Sequence, residues 1–263
     1  MQRSFAIIVV VLAFGMTSTA KAQGFAALVS PPRFELAIKP GRTTRGVFEL
    51  SNRSTAPARF RIHTADWKFL PDFTVAFQDE LQPGSCRPWV AIERPEVLIP
   101  GGSTMRYRFE VSVPADAPVG ECRFGMLIEG AEPSIAQSTN LQLPVSGRIG
   151  VIVYVRVGDS APKLEVFGPR IVTLNGQKIP TLRVYNSGNA HGRMTGFLHG
   201  TDARGIDYDI TPSDFPILPL EEREVFLTPS TPTDDHPTVN FPIRVRGTFE
   251  WGAERTELDQ IFE

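Results

Sequence analysis

The chain has 263 residues, with 27 basic and 29 acidic side chains, 22 glycines, 23 prolines and two cysteines. Its 41% apolar and 21% charged residues are the composition of a globular protein rather than a disordered one, and a formal charge of −2 offers no basic footprint for nucleic acid. Prolines in nearly every segment leave little room for long helices, and two cysteines are too few for a disulfide scaffold.

The first 22 residues read as a secretory signal peptide. Arg3 supplies the basic start, Phe5–Phe14 is an uninterrupted apolar core, and Ala20-Lys21-Ala22 has the small-x-small pattern of a cleavage site. The apolar run falls short of the about 20 residues that cross a bilayer, and no later segment resembles a membrane span. Cleavage after Ala22 is expected, giving an exported, mildly acidic protein. Export places Cys86 and Cys122, 36 positions apart, in an oxidising compartment. A disulfide between them is expected, closing a loop worth about 4 kcal/mol in the chain-entropy model. Two free buried thiols are the alternative, and with no CxxC and no nearby histidine a metal or redox site is disfavoured.

Beyond the signal, apolar residues alternate with period two, and turn residues interrupt them every 8–12 positions. Val47–Leu50, Arg59–Ile62 and Met105–Val111 read as half-buried strands. Arg123–Ile128 and Val151–Val155 are more apolar strands. No window shows a helical stripe free of Pro and Gly. Short strands at this spacing predict a sandwich or a barrel.

The second half echoes the first. Gly46–Asn52 and Thr181–Asn186 are both strand-like and end on Asn before small polar residues. Leu98-Ile99-Pro100 and Ile217-Leu218-Pro219 both precede a further strand. From each of these prolines it is 24 positions to the landmarks Phe124 and Ile243, which are expected to open the next strand. Two diverged copies of one sandwich explain this, as residues 23–160 and 161–263. The boundary falls at the polar connector Gly158–Pro162. So short a connector keeps the two units close, at an angle, with a cleft between them.

Catalytic chemistry is not evident. The histidines are His63, His191, His199 and His236. His191 and His199 fall in a predicted strand, where they would lie about 26 Å apart and could not share a metal. They read as surface or structural residues. There is no GxSxG and no glycine-rich phosphate loop, and Asp234-Asp235-His236 reads as a solvated loop. No enzyme, cofactor or metal is expected.

The segment Ala136–Arg148 is the most informative. A polar stretch leads into alternation, with Leu141, Leu143 and Val145 on one face. Such a strand suits β-augmentation, in which main-chain hydrogen bonds hold a partner and alternate side chains select it. An ordinary strand facing its own core is the alternative reading of the same periodicity.

Several motifs in order resemble the periplasmic pilus chaperones of the chaperone–usher pathway. They are Leu28–Arg33, Val47–Asn52, Pro88–Pro95, Leu98–Gly101 and Thr139–Ile149. The resemblance implies two immunoglobulin-like domains at an angle and a periplasmic location. It also implies a role in stabilising fimbrial subunits by donor-strand complementation, in partnership with a pilin-like subunit and an outer-membrane usher. On this chain Leu141, Leu143 and Val145 would form the donor row, and Arg33 and Arg148 would hold the subunit's carboxylate. The rival is an exported tandem immunoglobulin-like binding or structural module with no subunit-folding role. The chain departs from the family's pattern in four places. Pro144 lies within the donor strand. Arg33 and Arg148 precede the usual anchor positions by about two residues. Gly150 stands where the later anchor would fall, and Phe69–Pro88 is an insertion.

Overall fold

The computed structural model describes residues 25–131, 134–138, 141–145, 147–174, 176–234 and 237–263. The expected signal peptide, residues 1–22, and His236 lie outside them. No helix among the described residues is long and apolar enough to cross a membrane.

The fold is all-β. In the first unit, β1 (Ala27–Ser30), β3 (Thr43–Asn52), β8 (Thr104–Ser112) and β6 (Val90–Ile92) make one sheet in the order β1-β3-β8-β6. The second sheet runs β2-β12-β9-β4-β5, from β2 (Arg33–Ile38), β12 (Arg148–Val157), β9 (Gly120–Gly130), β4 (Ala58–Phe69) and β5 (Val75–Gln78). A short β7 (Glu96–Ile99) pairs with the start of β4. The chain changes sheets at Pro31-Pro32, between β1 and β2, where proline cannot continue a ladder.

The alternation predicted for β3 and β8 is the alternation seen. Phe48 and Leu50, and Tyr107, Phe109 and Val111, point into a core that Val151, Val153 and Val155 of β12 complete from the other sheet. β9 and β12 read as more apolar because both their faces are covered. Leu127 and Tyr154 are buried on the side away from that core. β9 opens at Gly120, four residues before the expected Phe124, because its antiparallel ladder with β12 runs on to Val157↔Gly120.

The second core is formed by residues between Leu164 and Phe262. The strands are β13 (Leu164–Leu174), β14 (Gln177–Asn186), β15 (Thr195–Thr201), β16 (Asp207–Pro212), β17 (Glu222–Ser230), β18 (Ile243–Trp251) and β19 (Glu254–Phe262). They pair in the order β13-β14-β17-β16-β15-β18-β19. β17 joins the two faces of this sandwich, its first half pairing with β14 and its second with β16.

The internal echo has a physical basis. Asn52 donates from Nδ2 to the carbonyls of Ala56 (2.8 Å) and Ile99 (3.0 Å), and accepts at Oδ1 from the Ser54 amide. Asn186 donates to the carbonyls of Ala190 and Ile217 (2.8 Å each) and accepts from the Gly188 amide. In each unit one asparagine ties its own turn to the segment leading into a later strand, and the Ile99, Ala190 and Ile217 carbonyls it satisfies are buried. The expected disulfide is also present: Cys86 and Cys122 are joined, with Cα atoms 5.6 Å apart. It staples the end of the Phe69–Pro88 insertion to β9.

Candidate functional site

β9 and β12 form one long ribbon that outruns the sandwich. β9 leads into β10 (Ser134–Ser138), and β11 (Leu141–Val145) returns toward β12. β10 and β11 pair with each other and, among the described residues, with no other strand. The two parts of the ribbon meet where the Gly130 amide donates to the Gly147 carbonyl at 3.3 Å. On the other flank of β12, pairing with β2 begins only at Arg33↔Ile152. Among the described residues, then, β11 and the Arg148–Val151 stretch of β12 present an unpaired edge on that side. Leu141, Leu143 and Val145 are alternate residues of β11. Pro144 lies within the strand, opposite Ile135.

Arg33 and Arg148 both lie on the outward face of the β2–β12 sheet, but they are not brought to one point. Arg33 pairs with Ile152, four residues beyond Arg148, a separation of about 13 Å along the strand. Each already faces an acid, Arg33 Nε lying 3.3 Å from Glu35 and Arg148 Nη1 3.6 Å from Glu129. Between them, the bare position Gly150 has a structural reason. The Phe77 ring of the insertion lies on Gly125 and Gly150, and a Cβ on either would fall within its van der Waals envelope.

The two sandwiches meet at a buried polar cluster. The His191 ring places Nδ1 2.6 Å from Oε2 of Glu121 and Nε2 3.6 Å from Oε1 of Glu35. It stacks on Tyr154 with ring centroids 3.8 Å apart. Arg193 donates to the Tyr154 hydroxyl at 3.4 Å and brings Nε 3.7 Å from Glu35. The Glu121 carboxylate is fully buried. Both imidazole nitrogens thus face carboxylates, an arrangement suited to the imidazolium. Burial alone would lower the pKa of His191. The hydrogen bonds and charges of Glu121 and Glu35 outweigh it and raise the pKa above the ordinary value. Contact with His191 brings Glu35 down to about 2 against the opposing effect of burial, with Arg33 and Arg193 adding to the fall. Desolvation pushes Tyr154 up to about 12.

A second contact is aromatic. The turn between β4 and β5 carries Phe73, whose ring centroid lies 4.6 Å from that of Phe215 and 5.1 Å from that of Phe226. The Arg223 guanidinium sits 4.2 Å over Phe69 and donates to the carbonyls of Phe69 (2.8 Å) and Leu70 (3.0 Å). Leu218 packs among Trp67, Phe69 and Tyr154. Beside these contacts the cleft expected between the units appears as a groove of about 850 Å³, lined by Trp89, Val119, Glu121, Asn189 and Leu220 among others.

The histidines therefore differ from one another. β15 begins at Thr195, so His191 and His199 do not share a strand as expected: the Gly192 bridge to Ile217 holds His191 in the preceding segment. His199 is exposed beside Asp209, and His63 lies 3.5 Å from Asp79. The sequence marked none of Arg193, Glu35 and Glu121, and His191 only as a surface or structural histidine. A cue for the aromatic contact was available, because Phe69, Phe73 and Phe77 recur every four residues in the segment read as an insertion.

No family model and no curated protein matches the chain. Among solved structures it is similar to the class 5 fimbriae chaperone CfaA, with 15% identity and a TM-score of 0.47 over 90% of this chain and 99% of that one. It is similar to the Escherichia coli chaperone DraB, with 14% identity and a TM-score of 0.48 over 91% and 98%. A chain in the complex of the Salmonella enterica SafA pilin with the SafB chaperone shows 14% identity and a TM-score of 0.47 over 92% and 98%.

Proposed function

We propose that this chain is a periplasmic chaperone for pilus or related surface subunits, exported by a signal peptide cleaved after Ala22. It acts by lending a strand, and it hands its client to an outer-membrane usher. The reading divides the chain into a donor-strand unit at residues 23–160 and a second unit at 161–263. The observation that carries it is the unpaired edge from β11 into the start of β12, ending where β2 begins at Arg33. A subunit lacking one strand has an open apolar groove. Leu141, Leu143 and Val145 would fill that groove while the β11 backbone completes its ladder. Three aliphatic side chains contribute roughly 1.5–3 kcal/mol each on burial. Arg33, and farther along the same face Arg148, offer guanidiniums to carboxylates of the client. A register slip by one residue would turn the apolar row away from the groove, so a fixed charge contact matters for alignment as well as affinity.

The test is periplasmic co-expression with a candidate pilin-like subunit. A one-to-one complex is expected, lost in Leu143→Glu and weakened in Arg33→Ala. A Leu143→Glu chain that folds normally and still captures the subunit would sink the strand-lending mechanism. Failure of the unaltered chain to capture any such subunit would favour the tandem binding module.

A further inference from the structure

On the outward face of β12 the row runs Arg148, Gly150, Ile152, while Val151 and Val153 point into the core. The place of a side chain at Gly150 is taken by Phe77, which arrives from the far side of the sheet. A Cβ on Gly125 of β9 would lie 2.7 Å from Cε1 of the ring. A Cβ on Gly150 would lie closest to Cζ, and 2.8 Å from Cε2. The ring thus crosses β9 on one glycine and lays its tip on β12 over the other. Glycine weakens a strand interior and marks a close approach, and here two of them, on adjacent strands, form a trough for one ring. The insertion holds that ring from several sides. Phe77 pairs with Trp67 in the β4–β5 ladder, and the Cys86–Cys122 bond fixes the insertion's end. Arg87 donates to the carbonyls of Thr64 (2.7 Å) and Asp79 (2.8 Å). Phe77 is nevertheless only half-buried.

The ring tip stands on the last strand before the unpaired flank, because β2 joins β12 only from Ile152 onward. A strand added along that flank would run about 4.8 Å from β12. Its outward side chain beside Gly150 would meet the ring rim with no other side chain between them. Residues two positions away would face Arg148 or Ile152 instead. The rim is the positive part of an aromatic quadrupole and prefers the negative face of a second ring, with centroids about 4.5–7 Å apart. We propose that Phe77 is the specificity-determining residue of this flank, selecting a client whose added strand carries an aromatic side chain beside Gly150. The inference rests on the strand-lending reading and deepens it by naming the class of client sequence. In β-augmentation the backbone supplies affinity, and single side-chain positions of this kind supply choice.

The probe is a set of fluorescein-labelled peptides of roughly strand length, alternating threonine and valine, in which a single phenylalanine is moved along the sequence. Anisotropy titration of the full chain should show binding tightened about fivefold at positions two apart, the scale of one aromatic pair. Leucine at position 77 would still pack the insertion down, so Phe77→Leu isolates the ring. It should cut the gain below about twofold and leave the phenylalanine-free peptide unchanged. Gly150→Ala should do the same with Phe77 intact, because the added Cβ displaces the ring tip. No tightening at any position, a tightening that survives either variant, or no binding of any peptide overturns the proposal. So does an equal weakening of the phenylalanine-free peptide, which would make the ring a general support. The same measurements separate this role from the broader reading. Subunit capture by a chain without Phe77-dependent preference removes the selector and leaves the chaperone. Preference without capture removes the chaperone and leaves a strand-binding flank.

Discussion

The two contacts between the sandwiches are made of opposite materials. One is a buried polar cluster of His191, Glu121, Glu35 and Arg193. The other is an aromatic brace in which Phe73 and Phe69 from the insertion meet Phe215, Phe226 and Arg223. Apolar contacts are non-directional and barely respond to pH. A buried charge pair is sensitive to geometry and protonation, and it is costly when half of it is removed. The brace therefore supplies adhesion, while the polar cluster fixes how the two units face each other. That division matters to the proposed function, because Arg33 and Arg193 come from different units and both meet Glu35 only in one arrangement.

The comparison is broken most severely at the polar side. His191→Ala leaves the fully buried Glu121 carboxylate without its cation, and removing one partner of a buried pair costs about 3–5 kcal/mol. Urea unfolding followed by tryptophan fluorescence should then separate into two transitions as the sandwiches lose their coupling. Trp67 lies at the junction and Trp251 in the second core, so both halves are visible. A single transition at the parental midpoint would show that the cluster adds no coupling.

Phe73→Ala removes the centre of the brace. Its loss should cost about 1–3 kcal/mol, less than a fully buried phenylalanine, because Phe73 is only partly enclosed. The drop in urea midpoint relative to the parent should be the same at pH 6 and pH 8, since none of the rings involved titrates. A pH-dependent loss would mean that brace and polar cluster are one cooperative unit.

How far all this was legible in the sequence follows from the range of each signal. Alternation is local, so β3, β8 and β12 could be read from runs such as Met105–Val111. The asparagine echo was legible because Asn52 and Asn186 each serve a turn a few residues away. The cysteine pair was legible by count alone. The polar cluster was not: His191 meets a glutamate 70 positions earlier, and nothing near either residue marks the pairing. The insertion was visible as an extra segment, but only the fold shows Phe77 lying over Gly150 and Phe73 reaching the other sandwich. Arg33 was found through its motif, whereas Arg193 has no motif and gains its meaning by reaching Glu35 beside Arg33.

Titration of the polar cluster gives the smallest effect and the finest distinction between the two contacts. The folded-state pKa of His191 is raised, so its contribution is fully present below the ordinary histidine value and is lost as pH rises through the raised one. Glu35 is lowered to about 2, so its contribution is present above the ordinary carboxylate range and is lost as pH falls toward that value. Coupling between the sandwiches should therefore be strongest from about pH 5 to 6, between the ordinary carboxylate and histidine values, and should weaken toward pH 8. The decline should be smaller than the effect of His191→Ala, because a neutral imidazole can still donate one hydrogen to Glu121. Urea midpoints measured at pH 6 and pH 8 should fall in the parent and in Phe73→Ala, and stay level in His191→Asn. A fall that persists in His191→Asn would assign the pH response to another group and remove His191 from the role of fixing the arrangement.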